Sequence, residues 1–474
     1  MKTSSYSLLP FEFKRNANGE VLLVNECGDF TTLKAEDFDR LTGKRFDDIA
    51  DSVLHRLESR HIIADEKHLQ TVMQLLANKY RSRREYLFTS TALHMLVVTL
   101  RCNHKCDYCQ VSSREADAYK YDMTPEVAER IVDMIFEAPS PIIKIEFQGG
   151  DALLNWPTVM AAVRHAETLN SVAKKKLEFV ACTNLFALDD THIQDIKDHK
   201  IMLSTSLDGP CWMHDKHRVL RIGGSSYRTF VEKLAFARRH LGRECASALM
   251  TTTVDSLDNV EQIIDEYVSL EFDGIFFRSL NPYGDAYRNN LYYSPERFFS
   301  MYKRGLEYII NINKKGRRFV EYYTALLIRR ILSPYATGFV DLQSPSGAGI
   351  SGVIYDYTGD VYPADEARML ARMGDHRFKM GNVFKNSFNE IFLSDVLKKI
   401  VRESCVETIP GCSSCVYRTY CGVDVFRNYL ETGDISNVRM NSFFCRKQTL
   451  IFDYLFDQIK DPDFVDIVGK WNGG

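Results

Sequence analysis

The chain has 474 residues, of which 45% are hydrophobic and 26% charged, with 60 Lys plus Arg against 63 Asp plus Glu and a formal net charge of −3. That mixture fits a globular protein of roughly three domains and excludes disordered, collagen-like and coiled-coil chains. The charge balance gives no reason to expect nucleic acid or an anionic membrane as partner. The longest apolar run, residues 93–100, falls far short of the ~20 residues a bilayer span needs. Charged residues follow positions 1–8 at once, so no secretory segment is expected, and the reading is a cytoplasmic protein.

In chain order, short apolar runs at 21–24 and 30–33 flank Asn25 and Gly28 and predict a hairpin. Helical patterns follow over 35–41, 49–59 and 70–84; the second places Ile49, Val53, Leu54 and Leu57 on one face. A hairpin with three helices is winged-helix-like and defines a small module over residues 1–85. Without a basic stripe DNA is a poor ligand, whereas an exposed strand edge suits peptide uptake by strand addition. From residue 91 strand-like runs (95–100, 142–147, 177–183, 201–207, 246–254, 274–280) alternate with helical ones (125–137, 157–169, 189–197, 227–241, 257–270). Such alternation predicts an α/β fold with a parallel sheet: a partial (β/α)6 barrel of the TIM type over 90–285, its site at the C-terminal strand ends. Helices at 295–313 and 319–332 fill a linker over 286–340, and a hairpin near 352–362 leads into a cysteine-rich region, 341–474.

The twelve cysteines are unevenly spread. Cys27, Cys182, Cys211 and Cys245 stand alone and read as small buried hydrophobes. Cys102, Cys106 and Cys109 form a C-x3-C-x2-C loop directly after the first strand-like run. Three thiolates so spaced wrap one face of a 4Fe–4S cluster and leave its fourth iron without a protein ligand. An open iron of that kind chelates the amino and carboxylate groups of S-adenosylmethionine, and an electron from the cluster then yields a 5′-deoxyadenosyl radical. A zinc loop is the alternative, but zinc favours C-x2-C pairs and a fourth ligand. The spacing, with Tyr108 before the last cysteine, resembles the radical S-adenosylmethionine (SAM) superfamily.

Downstream positions extend the resemblance. Gly149-Gly150-Asp151 resembles the superfamily's glycine-rich motif, which meets the methionine amino group, although Asp151-Ala152 replaces the usual Glu-Pro. Thr183-Asn184 closes the third strand; Ser206, Asp208 and Arg218 lie at and beyond the end of the fourth, and the resemblance implies cofactor contacts for all of them. Helix caps or turns are the plainer roles for Ser206 and Asp208. Arg278 ends the sixth run and is suited to pair with a carboxylate.

Cys412, Cys415, Cys421 and Cys445 offer four thiolates, enough for a fully ligated auxiliary 4Fe–4S cluster. A structural zinc ribbon is the alternative, and Cys405 is a fifth thiol nearby. With Tyr417, Tyr420 and Gly422, the segment resembles a SPASM- or twitch-like domain. A full SPASM pattern wants further cysteines where this chain has Ser346, Ala364 and Val425, so one auxiliary cluster is expected rather than two.

Several strings resemble the HxsB maturase family of the His-Xaa-Ser peptide system: Leu8-Leu9-Pro10-Phe11-Glu12-Phe13, Cys109-Gln110-Val111-Ser112, the run 338–345 around Asp341, Asp365-Glu366-Ala367-Arg368-Met369-Leu370, Met373-Gly374-Asp375-His376 and Phe444-Cys445-Arg446-Lys447. The resemblance implies a radical SAM peptide maturase, an oxidoreductase-type enzyme. It would crosslink or otherwise change a ribosomally made precursor at an unactivated carbon, binding the leader through a PqqD-like N-terminal module. It further implies an electron donor such as flavodoxin or ferredoxin and a second radical maturase as partner. Oxidation of a protein Ser or Cys, as by sulfatase-maturing enzymes, and a non-catalytic cluster scaffold are the competing readings. No catalytic acid or base is identifiable.

Overall fold

The computed structural model describes residues 5–436 and 442–472. Its centre is a mixed sheet of eight strands. Five of them, Leu93–Thr99, Ile142–Gly149, Lys176–Cys182, Met202–Ser206 and Ala246–Leu249, run parallel and lie side by side in sequence order. The crossover helices are Pro125–Glu137, Trp156–Ala173, Asp190–Asp198, Ser226–Leu241 and Val260–Ser269. Local chemistry explains their edges. Thr124 accepts from the Val127 amide and Pro125 sits in the first turn, while Ala128, Ile131, Val132, Met134 and Ile135 form the buried stripe.

The sixth strand departs from expectation. Only Gly274–Ile275 is extended and paired, and its partner is Val320–Glu321 in a separate two-stranded sheet. One bridge, Thr252 to Ser279, ties this segment to the fifth strand's end. The physical reason is a side chain: Glu321, fully buried, accepts from the Phe277 amide (3.0 Å) and so takes the place of a neighbouring strand. The other edge of the central sheet is extended instead. Gly352–Tyr355 pairs parallel with Leu93–Thr99 and antiparallel with Asp360–Tyr362, so the tail hairpin belongs to the same sheet.

The N-terminal region holds a three-stranded antiparallel sheet, Phe11–Arg15, Glu20–Asn25 and Phe30–Lys34, with helices Ala35–Thr42, Asp51–Ser59 and Leu69–Arg83. Val21, Leu23, Leu33, Leu41, Leu57 and Ile63 form its own core. The alternate face, Leu22 and Val24, belongs to the main core. Phe30 meets Phe456 edge-on at 5.0 Å, Tyr420 donates to the Gly28 carbonyl (2.8 Å), and Arg418 pairs with Glu12 (3.1 Å) and Glu26. The module is therefore docked on the cysteine-rich tail rather than separate. Among the described residues no helix is long and apolar enough to cross a membrane.

Candidate active site

The three-cysteine loop emerges from the first central strand and is fixed by contacts of different kinds. The Gly150 amide donates to the Thr99 carbonyl and the Asp151 amide to the Arg101 carbonyl, both at 2.9 Å. A Cβ on Gly149, whose φ is +140°, would lie 1.8 Å from the Thr99 oxygen, and one on Gly150 2.1 Å from that of Arg101. Only glycine permits this approach. The strand His104–Cys106 pairs with Arg218–Leu220. His217 bridges Asp107 (2.7 Å) and Asp255 (2.8 Å), and these carboxylates raise its pKa against the opposing effect of burial. Arg101 forks onto Asp122 with both contacts at 2.8 Å.

The sulfurs receive donors. The His104 amide points to Cys102 Sγ (3.4 Å), the Ser113 amide to Cys109 Sγ (3.4 Å), and the Asn184 side-chain amide to Cys102 Sγ (3.5 Å). Burial pushes the Cys106 thiol up to about 12 and likewise raises Cys102 well above its ordinary value. All three cysteines line a cavity of about 260 Å³ together with Gly149, Gly150, Thr183, Asn184, Ser206 and Arg218. This is a donor set for a cluster with an open iron: three thiols on one wall, N–H groups aimed at sulfur, and room beside them.

Asp151 and Asp208 stand behind that wall. Asp151 is fully buried and accepts from the Leu153 amide, the Thr183 hydroxyl and the Asn184 amide, each at 3.0 Å. It thereby clamps two strand ends, and burial raises its carboxyl to about 6. Asp208, also fully buried, accepts from Tyr108, from Arg218 Nε (3.0 Å) and from the Thr251 amide (3.1 Å). Burial alone would raise it, but Arg218 and His214 hold it below its ordinary value. The pair keeps a cationic guanidinium at the cavity wall, 5.4 Å above the Tyr108 ring.

In the tail, burial first, and then Cys445, Cys415 and Cys412, raise the pKa of the Cys421 thiol. Cys405 lies apart, donating to the Val401 carbonyl (3.4 Å) beside Glu407 and Arg84. Among the described residues no three His, Cys, Asp or Glu side chains gather tightly enough for a single metal ion. Ser346 and Val425 are buried, and Ala364 lines a second cavity.

That second cavity, about 380 Å³, shares Gln148, Leu249, Arg278 and Asp365 with the first. Asp341, Glu366, Asp424 and Lys447 complete its polar rim. Arg278 approaches Glu366 at 3.9 Å, the carboxylate partner its position invited. Reasoning from sequence assigned no role to the rest of this rim. The signal was present, however: Asp341, Asp365, Glu366 and Lys447 all stand in the strings that carried the family resemblance. Cys182, read as a lone hydrophobe, lines the first cavity and donates to Glu146 (3.4 Å).

Residues 96–267 match the Radical SAM superfamily. This domain belongs to that superfamily. Its cofactors are SAM and a 4Fe–4S cluster. The radical SAM cyclopropyl synthase TigE of Paramaledivibacter caminithermalis is 27% identical over 158 residues, which is 31% of this chain but only 32% of that protein. The cysteine-type anaerobic sulfatase-maturating enzyme of Clostridium perfringens is 21% identical over 369 residues, covering 76% of this chain and 94% of the relative. Streptococcus suis SuiB, solved with its precursor peptide SuiA, superimposes with a TM-score of 0.54 at 13% identity, covering 93% of this chain and 100% of that one. This likeness establishes the fold.

Proposed function

We propose that this radical SAM enzyme modifies a ribosomally made precursor peptide, forming a crosslink or related change at an unactivated carbon, in the manner of HxsB-like maturases. The observation that carries the reading is the adjacency of two cavities: the second shares Gln148, Leu249, Arg278 and Asp365 with the cavity lined by the three cysteines. A hydrogen on a residue held there is within reach of a radical born at the first. The relatives point the same way, since SuiB is solved with a precursor peptide and its fold spans the N-terminal module as well.

In this reading residues 1–85 form a PqqD-like recognition module, 90–285 the partial barrel, 286–340 a helical linker and 341–474 a SPASM- or twitch-like domain. Cys102, Cys106 and Cys109 hold the radical-generating cluster; Cys412, Cys415, Cys421 and Cys445 hold one auxiliary cluster. When bound, SAM and its cluster supply a 5′-deoxyadenosyl radical. The chain's own residues bind and orient. Gly150 and Asp151 spend their amides on the Thr99 and Arg101 carbonyls, and the Asp151 carbonyl accepts from Leu154, which leaves the Gly150 carbonyl for an ammonium. Asn184, Ser206 and Arg218 offer polar groups from the opposite strand ends. The enzyme would act in the cytoplasm with a flavodoxin or ferredoxin as donor, and beside a second maturase.

Anaerobic purification should give about eight irons per chain, falling by half in the Cys412→Ala/Cys415→Ala variant. Mass spectrometry of a co-expressed neighbouring precursor should show loss of hydrogen. If the precursor stays unmodified while a Ser- or Cys-bearing sulfatase sequence is oxidised, the sulfatase-type reading replaces this one. It is the second reading because the Clostridium perfringens enzyme matches nearly end to end.

A further inference from the structure

The cavity of about 380 Å³ has a mixed lining. Leu93, Met95, Leu249 and Phe339 contribute apolar surface, and Asp341, Asp365, Glu366 and Asp424 contribute carboxyl groups. Two cations, Arg278 and Lys447, face that rim, the first in a long ion pair. Arg278 has a half-exposed side chain and stays 3.9 Å from Glu366; Lys447 Nζ donates to the Ser279 hydroxyl at 3.2 Å. The central observation is Asp365. Its Oδ1 is fully buried and has no hydrogen-bond partner among the described residues, although the residue lines both cavities. A buried polar atom without a partner costs about 1–3 kcal/mol, a cost an arriving donor removes. Burial and mutual repulsion also raise Glu366 to about 8 and Asp424 to about 6. Repulsion of that kind reverses when a cation enters.

We propose that this chamber receives a lysine or arginine side chain of the peptide substrate, its stem along the apolar surface and its charged head among Asp341, Asp365 and Glu366. The assignment rests on the peptide-modifying reading above and names the residue type presented next to the radical site. A long aliphatic stem with a cationic tip matches a cavity lined by both apolar and acidic side chains. A small inorganic cation would use the rim and leave the apolar surface bare. An acidic side chain would add to the repulsion already there.

Isothermal titration of the anaerobic, SAM-loaded holoenzyme with three pentapeptides tests this. Acetyl-Ala-Ala-Lys-Ala-Ala-amide is compared with twins carrying norleucine or glutamate at the centre. The lysine peptide should bind at least about tenfold tighter than its norleucine twin, about 1.4 kcal/mol. The Asp341→Asn/Glu366→Gln variant should lose that difference while keeping its iron and its affinity for the norleucine peptide. Where the double variant loses iron, Glu366→Gln alone serves. Equal affinity for the lysine and norleucine peptides, or tighter binding of the glutamate peptide, overturns the proposal and leaves the peptide-modifying reading standing. If none of the three binds while SAM does, the proposal is overturned, and mass spectrometry of the co-expressed precursor decides the peptide-modifying reading separately.

Discussion

Cys102, Cys106 and Cys109 are useful only because their neighbours hold them open. Gly149 and Gly150 let the strand end touch the cluster loop, His217 pins Asp107 between two of the cysteines, and Asn184 reaches Cys102 from a different strand. Replacing all three cysteines with Ala should abolish 5′-deoxyadenosine formation, measured by chromatography of anaerobic reactions. Undiminished nucleoside would refute the cluster assignment. Asp151 illustrates how a motif residue gains its role in three dimensions. Sequence resemblance suggested a cofactor contact, whereas its carboxylate here holds Thr183 and Asn184, and through them the cavity wall.

Elements were legible where one local rule dominated. The helix Pro125–Glu137 coincides with its sequence reading because a Thr cap, an N-terminal Pro and an apolar stripe agree. The strand Phe11–Arg15 was missed: its alternating Phe, Glu, Phe and Lys follow Pro10, and its pairing partner supplies most of the reason to be extended. The sixth strand was overread because Glu321, remote in sequence, takes the Phe277 amide. Asp29 gives a test at this level. It accepts from Lys79 of the helix Leu69–Arg83 (2.8 Å) and from His61 (2.8 Å), with 19% of its side chain exposed. Burial opposes its charge, but those two partners lower its pKa to about 2. A lowered carboxyl contributes stability above its unfolded value near 4 and loses it as pH falls toward 2. Asp29→Asn should therefore cost about 2 kcal/mol at pH 7. Hydrogen exchange should read this as roughly 30-fold faster amide exchange in that helix. Unchanged exchange would mean the helix is held by packing alone.

The central sheet runs through the whole molecule, taking five strands from the middle of the chain and closing its other edge with the hairpin near 352–362. That arrangement brings Asp365 and Glu366 to the cavity beside the first cluster's cysteines. It also docks the N-terminal sheet against the tail, with Lys14 and Tyr417 both contacting Asp453. Deleting the module would thus uncover the tail's core, so leader binding is better tested in the intact enzyme. If the leader adds as a strand to Phe30–Lys34, full-length precursor should slow amide exchange there and in Asp51–Ser59. Unaltered exchange in both segments would assign the module another role. Phe30 and Leu33 are engaged in packing, so recognition would fall to backbone groups and outward side chains.

The amino-acid sequence by itself determined the spacing of the two cysteine groups, the strand–helix alternation and the strings that resemble a maturase family. Each depends on spacing along the chain, and spacing survives without coordinates. Only the tertiary structure decided that Asp341, Glu366, Asp424, Arg278 and Lys447 surround one chamber. It likewise decided that Asp151 and Asp208 stand behind the cavity wall and that Cys405 lies apart from the other tail thiols. The physical reason is the range of the contacts. A chelating loop or an amphipathic stripe is set within a few residues, whereas the chamber joins segments up to 354 positions apart, from Leu93 to Lys447, that meet only when the tail hairpin pairs with the first central strand.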